Sequence, residues 1–168
     1  IQKKMIEHDK DAIWVIQHWQ GNPSNTKING LADKSKALIL DLNSDLKEND
    51  YKRFESLNVP WVWNMLHNFG GRMGLDGQPE RLANNIPTAY ANSKYMKGIG
   101  ITPEAINNSP IVYELIGDMI WTRNKVNYKE WTYDYIERRY GKVNEDIAVV
   151  IPTIVEAKKI SYANTYYY

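Results

Sequence analysis

Apolar positions fall into short, nearly unbroken runs over the first hundred residues and switch to helical spacing after about residue 109. Residues 13–16 (IWVI) form a β-branched and aromatic run too short for a helix, which predicts a strand. Residues 37–42 (ALILDL) and 60–66 (PWVWNML) predict two more strands, again without polar alternation. A fourth extended segment covers about residues 95–102 (YMKGIGIT), lightened by Gly98 and Gly100. Unalternating runs of this kind are expected of strands covered on both faces, as in a parallel sheet wrapped by helices. Between them lie a polar, Asn-, Pro- and Gly-rich loop (QGNPSNTKING) and short helix-like stretches, including residues 50–57. Residues 1–10 read as the exposed end of a helix.

Beyond Glu104 the pattern becomes helical. Ser109 and Pro110 suit the cap and first position of a helix, and Val112, Leu115, Ile116 and Met119 then recur at helical spacing. A second helix fits residues 128–140, with Trp131 and Tyr135 one turn apart and Gly141 as its stop. A third fits about residues 145–162, kinked or split by Pro152. Strand-and-crossover units followed only by helices predict an α/β fold: the C-terminal half of a (β/α)8 TIM-like barrel, residues 1–124, running into the start of an all-α domain, residues 125–168. An open doubly wound sheet is the other arrangement to weigh, but the Gly-rich phosphate turn that usually follows its first strand is missing.

Charge and composition narrow the partners. With 21 basic and 20 acidic side chains the net charge is +1, which favours neither nucleic acid nor an acidic membrane surface. No apolar run approaches the roughly 18 residues of a membrane helix. Cysteine is absent, which removes disulfides and thiolate chemistry. The chain opens on Ile1 with no visible leader, and the strand pattern favours the middle of a longer protein, so the remainder of the same polypeptide is an expected partner. Six Trp and twelve Tyr against two Phe suit stacking on sugar rings, although composition alone favours core and interface residues.

In a barrel of this type, reactive residues lie at strand C-terminal ends and in the loops just beyond. Four places qualify: residues 17–20 (QHWQ), 41–43 (DLN), 66–71 (LHNFGG) and 102–107 (TPEAIN). Glu104 stands just past a Gly-rich strand behind Pro103, where a carboxylate can act as acid, base or nucleophile. On position alone it also fits a loop-surface Glu or the first-turn acid of a short helix. If Leu42 faces the barrel interior, alternation turns Asp41 toward the helices and makes it structural. His67 and Asn68 fit substrate hydrogen-bonders as well as a turn stabilised by Asn68. His8, His18 and His67 have no paired spacing, so neither a metal nor another cofactor is expected. No G-x-S-x-G elbow or Walker loop supports esterase or nucleotide chemistry.

Taken in order, W-x-x-Q-x-W (Trp14, Gln17, Trp19), ALILDL, WNMLHNFGG (residues 63–71) and GIGITPEAI (residues 98–106) resemble the α-N-acetylglucosaminidases of glycoside hydrolase family 89. VYELIGDMIW (residues 112–121) and RRYG (residues 138–141) continue the resemblance, which covers nearly the whole chain to about Tyr162. It implies a retaining exo-enzyme that releases terminal α-linked N-acetylglucosamine from heparan sulfate-type or mucin-type glycans. Animal members are lysosomal and bacterial members secreted; the Asn-, Lys- and Tyr-rich composition is closer to a bacterial member. The family nucleophile maps onto Glu104, and its sugar-pocket residues onto Trp19, Leu42, Leu66 and Phe69.

Chemistry favours the same assignment. The C2 acetamide of an α-glucosaminide is cis to the leaving group and cannot attack from behind, so a protein carboxylate must be the nucleophile. Retaining glycosidases pair it with a second carboxyl about 5–5.5 Å away. The family's acid/base Glu follows an Asn at an earlier strand end; Glu7, the only Glu before Trp14, lacks that setting. The acid/base is therefore expected upstream, and the isolated chain is expected to be inactive. The alternative is a non-catalytic carbohydrate-binding or structural α/β domain.

Overall fold

All four apolar runs become strands of one parallel sheet in the computed structural model, which describes residues 1–42, 44–46, 51–67, 78–104, 108–142, 145–150 and 153. The element order is α1 (Gln2–His8), β1 (Trp14–His18), α2 (Asn25–Asn29), a 3-10 turn (Lys34–Lys36), β2 (Ala37–Asp41), α3 (Tyr51–Leu57), β3 (Trp61–Met65), α4 (Pro79–Asn92), β4 (Met96–Ile101), α5 (Pro110–Trp121) and α6 (Tyr128–Tyr140). The described chain divides into two compact units: Ile1–Leu66 with Thr88–Thr102, and His67–Pro87 with Pro103–Tyr168.

In the first unit the sheet order is β1-β2-β3-β4, every pair parallel. Parallel neighbours need a crossover of a dozen or more residues, which the intervening helical segments supply. One face carries Ile16, His18, Ala37, Ile39, Asp41, Trp61, Trp63 and Met65, and from His18 onward these are buried. Phe54 of α3 explains much of that burial. It is fully enclosed, stacks on Trp61 at 5.2 Å and meets the edge of His18 at 5.6 Å. Enclosing a phenyl ring of this size stabilises by about 1.5–3 kcal/mol. Glu55, next along α3, accepts from Ser93 Oγ and from the Tyr95 backbone N–H, while Ser93 Oγ accepts from Trp61 Nε1 at 3.0 Å. One carboxylate thus fixes the entry to β4 against β3. The opposite face carries Val15, Gln17, Leu38, Leu40, Val62 and Asn64; Val15 is half exposed, whereas Asn64 is buried.

Strand β1 begins and ends later than its apolar run predicts, because pairing with β2 carries it through Gln17 to His18 opposite Asp41. Two helices were invisible to apolar spacing. In α2, Ser24 caps the helix by accepting from the Lys27 N–H, and Ile28 is its one buried residue, set among polar neighbours. In α4, Asn-rich sequence and Pro87 disguise fourteen helical residues. Pro87 has no N–H for the carbonyl of Ala83, and that carbonyl instead accepts from the Val126 N–H at 3.4 Å.

In the second unit, α5 begins at Pro110 as predicted and α6 has its predicted bounds. Asn127 caps α6 through the N–H groups of Lys129 and Glu130, and Gly141 ends it in the left-handed conformation, φ +80°. Tyr128, Trp131 and Tyr135 stack successively along α6, and Trp131 Nε1 donates to Asp118 of α5 at 2.7 Å. Arg139 pairs with Glu114 at 3.0 Å. Residues 145–150 and residue 153 are helical; the rest of the third predicted helix, including Pro152, lies outside the described residues. Among the described residues no helix is long and apolar enough to cross a membrane.

Candidate active site

Four parallel strands end on one edge of the sheet, and the residue after each is Trp19, Leu42, Leu66 and Thr102. Backbone pairing continues onto this rim: Leu42 N–H donates to the His18 carbonyl at 3.4 Å, and Thr102 N–H to the Met65 carbonyl at 2.9 Å. Leu42 and Leu66 are buried and Trp19 is half-buried. Three of the predicted pocket residues therefore come together on the edge where α/β barrels place their chemistry.

Trp19 is held in a tight hairpin. Its N–H and C=O exchange hydrogen bonds with Asn22 at 2.8 and 2.9 Å, and Gln20 (φ +47°) and Gly21 (φ +80°) turn the chain between them. Two successive left-handed residues give the backbone of a two-residue hairpin turn, which Gly21 adopts without cost and Gln20 does not. Lys27 Nζ donates to the Asn22 side chain at 2.9 Å.

Behind this rim, on the helix-covered face, lies a buried polar relay absent from the sequence expectations. His18 Nδ1 lies 2.6 Å from Asp41 Oδ1, Ser44 Oγ donates to Asp41 Oδ2 at 2.9 Å, and Arg53 Nη1 contacts His18 Nε2. Arginine has only donors, so Nε2 accepts and the His18 proton sits on Nδ1, donated to Asp41. Asp41 faces the helices, as alternation against Leu42 predicts. The signal for the relay was polar residues closing two consecutive apolar runs, but their register could not be known without the sheet.

Glu104 is exposed and stands two residues beyond Thr102, behind Pro103. His67, in the second unit, is fully buried with φ +59°; its Nε2 accepts from the Ser109 N–H at 3.2 Å, and its ring meets the edge of Tyr113. The His67 imidazole thus satisfies the amide that opens α5, whose cap residue Ser109 makes no side-chain cap of its own. Asn68 and Phe69 lie outside the described residues. Among the described residues no group of three or more His, Asp or Glu side chains could hold a metal ion.

Residues 1–123 match the family model of the alpha-N-acetylglucosaminidase (NAGLU) TIM-barrel domain. The chain belongs to the α-N-acetylglucosaminidases of glycoside hydrolase family 89. It is 31% identical over 159 residues to the human alpha-N-acetylglucosaminidase, a match covering 87% of this chain and 21% of the human one. It is also similar to the family 89 glycoside hydrolase of Clostridium perfringens in complex with PUGNAc, at 59% identity and a TM-score of 0.85, covering 92% of this chain and 18% of that one. The same identity and TM-score relate it to a Clostridium perfringens structure with two Glu-to-Gln substitutions, in complex with its substrate GlcNAc-alpha-1,4-galactose. The chain therefore spans about a fifth of the length of these relatives. In this family 89 chain the four-stranded sheet is part of a TIM barrel.

Proposed function

We propose that this chain supplies the nucleophile half of a retaining exo-glycosidase that removes terminal α-linked N-acetylglucosamine from heparan sulfate-type or mucin-type glycans. The observation that carries the proposal is the place of Glu104 in the chain, two residues beyond Thr102, the residue that follows β4. Glu104 attacks the anomeric carbon, forming a glycosyl ester while the leaving oxygen takes a proton from a second carboxylic acid. Water, deprotonated by that second group, then releases the sugar. Trp19, Leu42, Leu66 and Phe69 line the sugar pocket, with His67 and Asn68 nearby in sequence as candidate hydrogen-bonders. The acid/base belongs to the remainder of a longer polypeptide, with residues 1–124 contributing to the barrel and residues 125–168 opening an all-helical domain. Family membership and a relative bound to GlcNAc-alpha-1,4-galactose support the reading. For a bacterial member, secretion is the fitting location.

A mechanism-based α-N-acetylglucosaminide inactivator, applied to the full-length protein and followed by peptide mapping, tests it. Label is expected on Glu104, and Glu104→Gln is expected to abolish labelling. Labelling of another residue, or unchanged hydrolysis by Glu104→Gln, overturns the assignment and favours a non-catalytic role for this segment. The 168-residue chain alone is expected to give no turnover of an aryl α-N-acetylglucosaminide.

A further inference from the structure

We infer that Arg53 is a positioning residue for Trp19, acting through the stem of the hairpin that carries it. The hairpin runs from Trp19 to Asn22, so its stem residues are His18 and Pro23. Arg53 engages both: Nη1 contacts His18 Nε2, and Nη2 donates to the Pro23 carbonyl at 2.6 Å. Its third nitrogen, Nε, donates to Asn25 Oδ1 at 3.0 Å, at the start of α2. One planar guanidinium therefore ties the incoming strand, the outgoing chain and the next helix together. Lysine, with a single nitrogen, cannot span these three acceptors.

The guanidinium is itself held firmly. Its carbon lies 5.4 Å from the centre of the Phe54 ring, and Phe54 is fully buried against Trp61 and His18. The relay then passes from His18 to Asp41 and Ser44, on either side of Leu42 in sequence. Trp19 and Leu42, both assigned to the sugar pocket, are thereby braced by one hydrogen-bonded line beneath the rim. Without Arg53 the Trp19–Asn22 bridge remains, but nothing in this line joins the hairpin stem to α3. The backbone that carries Trp19 is then less firmly placed, and displacement of about 1 Å at a binding group is enough to cost large factors in rate or affinity.

This inference rests on Trp19 contacting the sugar, so the test separates the two claims. In the full-length protein, kinetics on an aryl α-N-acetylglucosaminide are compared for wild type, Arg53→Gln, Trp19→Ala and the double variant. Arg53→Gln is expected to raise KM about tenfold with kcat changed less than about threefold, and to add less than about twofold in the Trp19→Ala background. An unchanged KM, or full additivity, overturns the positioning role. In parallel, 19F NMR of 5-fluorotryptophan-labelled protein follows Trp19, assigned by Trp19→Phe. Its resonance is expected to shift or broaden in Arg53→Gln, while that of exposed Trp121 stays in place. If Trp19→Ala leaves KM unchanged, the sugar-contact reading fails and the NMR comparison alone decides Arg53; an unmoved Trp19 resonance then overturns the inference. Should Arg53→Gln not fold, Arg53→Lys carries the same two readouts, with the same pattern expected at smaller amplitude.

Discussion

The side-chain oxygen of Asn64 lies over Gly100, 1.8 Å from where a Cβ on that glycine would stand. Asn64 of β3 and Gly100 of β4 are register partners, and Asn64 is 2% exposed. The glycine is therefore a space requirement: β4 can approach β3 at this height only without a side chain. A Cβ on Gly100 would also lie 3.3 Å from Val62 Cγ1, so an added methyl would be crowded on a second side.

Gly100→Ala is accordingly expected to lower stability by about 1–3 kcal/mol, the usual range for overpacking a filled interior. Asn64→Ala in the same chain should recover most of the loss by vacating the space. Urea unfolding of the single and double variants checks this. A Gly100→Ala chain as stable as wild type would show that Asn64 can swing away.

Asp41 has no exposed surface and accepts from both His18 and Ser44. Replacing it with Ala leaves the buried His18 N–H without its acceptor, whereas Ser44 Oγ keeps the Asp41 backbone carbonyl at 3.0 Å, so a loss of about 1–3 kcal/mol is expected. Ser44→Ala, which removes one donor and leaves the His18 bond intact, should cost less than half as much. Denaturant midpoints of the two variants give the comparison. Equal costs would mean that the His18–Asp41 bond contributes little.

Tyr135 provides a signed pH dependence. Burial pushes its phenol up from the ordinary value, against the opposing pull of the Arg139 guanidinium. The folded chain thus holds this proton to higher pH than the unfolded chain. The resulting stability is fully present below about pH 10, the unfolded value, and is lost as pH rises through the folded one. Tyr135→Phe should show a shallower fall in stability as pH rises above about 10. A parallel fall in both proteins, followed by thermal unfolding across that range, would exclude Tyr135 as a contributor.

Much of the architecture was legible because it depends on local pattern. The four apolar runs, Gly141 at the end of α6, and Ser109-Pro110 at the start of α5 each carry their signal within a few residues. Helices α2 and α4 escaped because their stability is tertiary. One buried isoleucine anchors the first, and in the second a carbonyl freed by Pro87 is satisfied by Val126, thirty-nine positions beyond that proline.

The candidate site divides in the same way. Sequence alone placed Trp19, Leu42, Leu66 and Glu104 at or just beyond the ends of the apolar runs, because each run is bounded within a few residues of them. It also determined that Asp41 turns away from the face of Leu42. Only tertiary structure decided what Asp41 meets there, because the register between β1 and β2 sets His18 against it and packing of α3 brings Arg53 to both ends of the Trp19 hairpin. Likewise only the tertiary structure sets His67, a candidate hydrogen-bonder from sequence, against the N–H of Ser109, the cap residue of α5, forty-two residues away. Period and propensity act over a few residues, whereas hydrogen bonds between separate elements depend on a register and a packing distance that no local pattern contains.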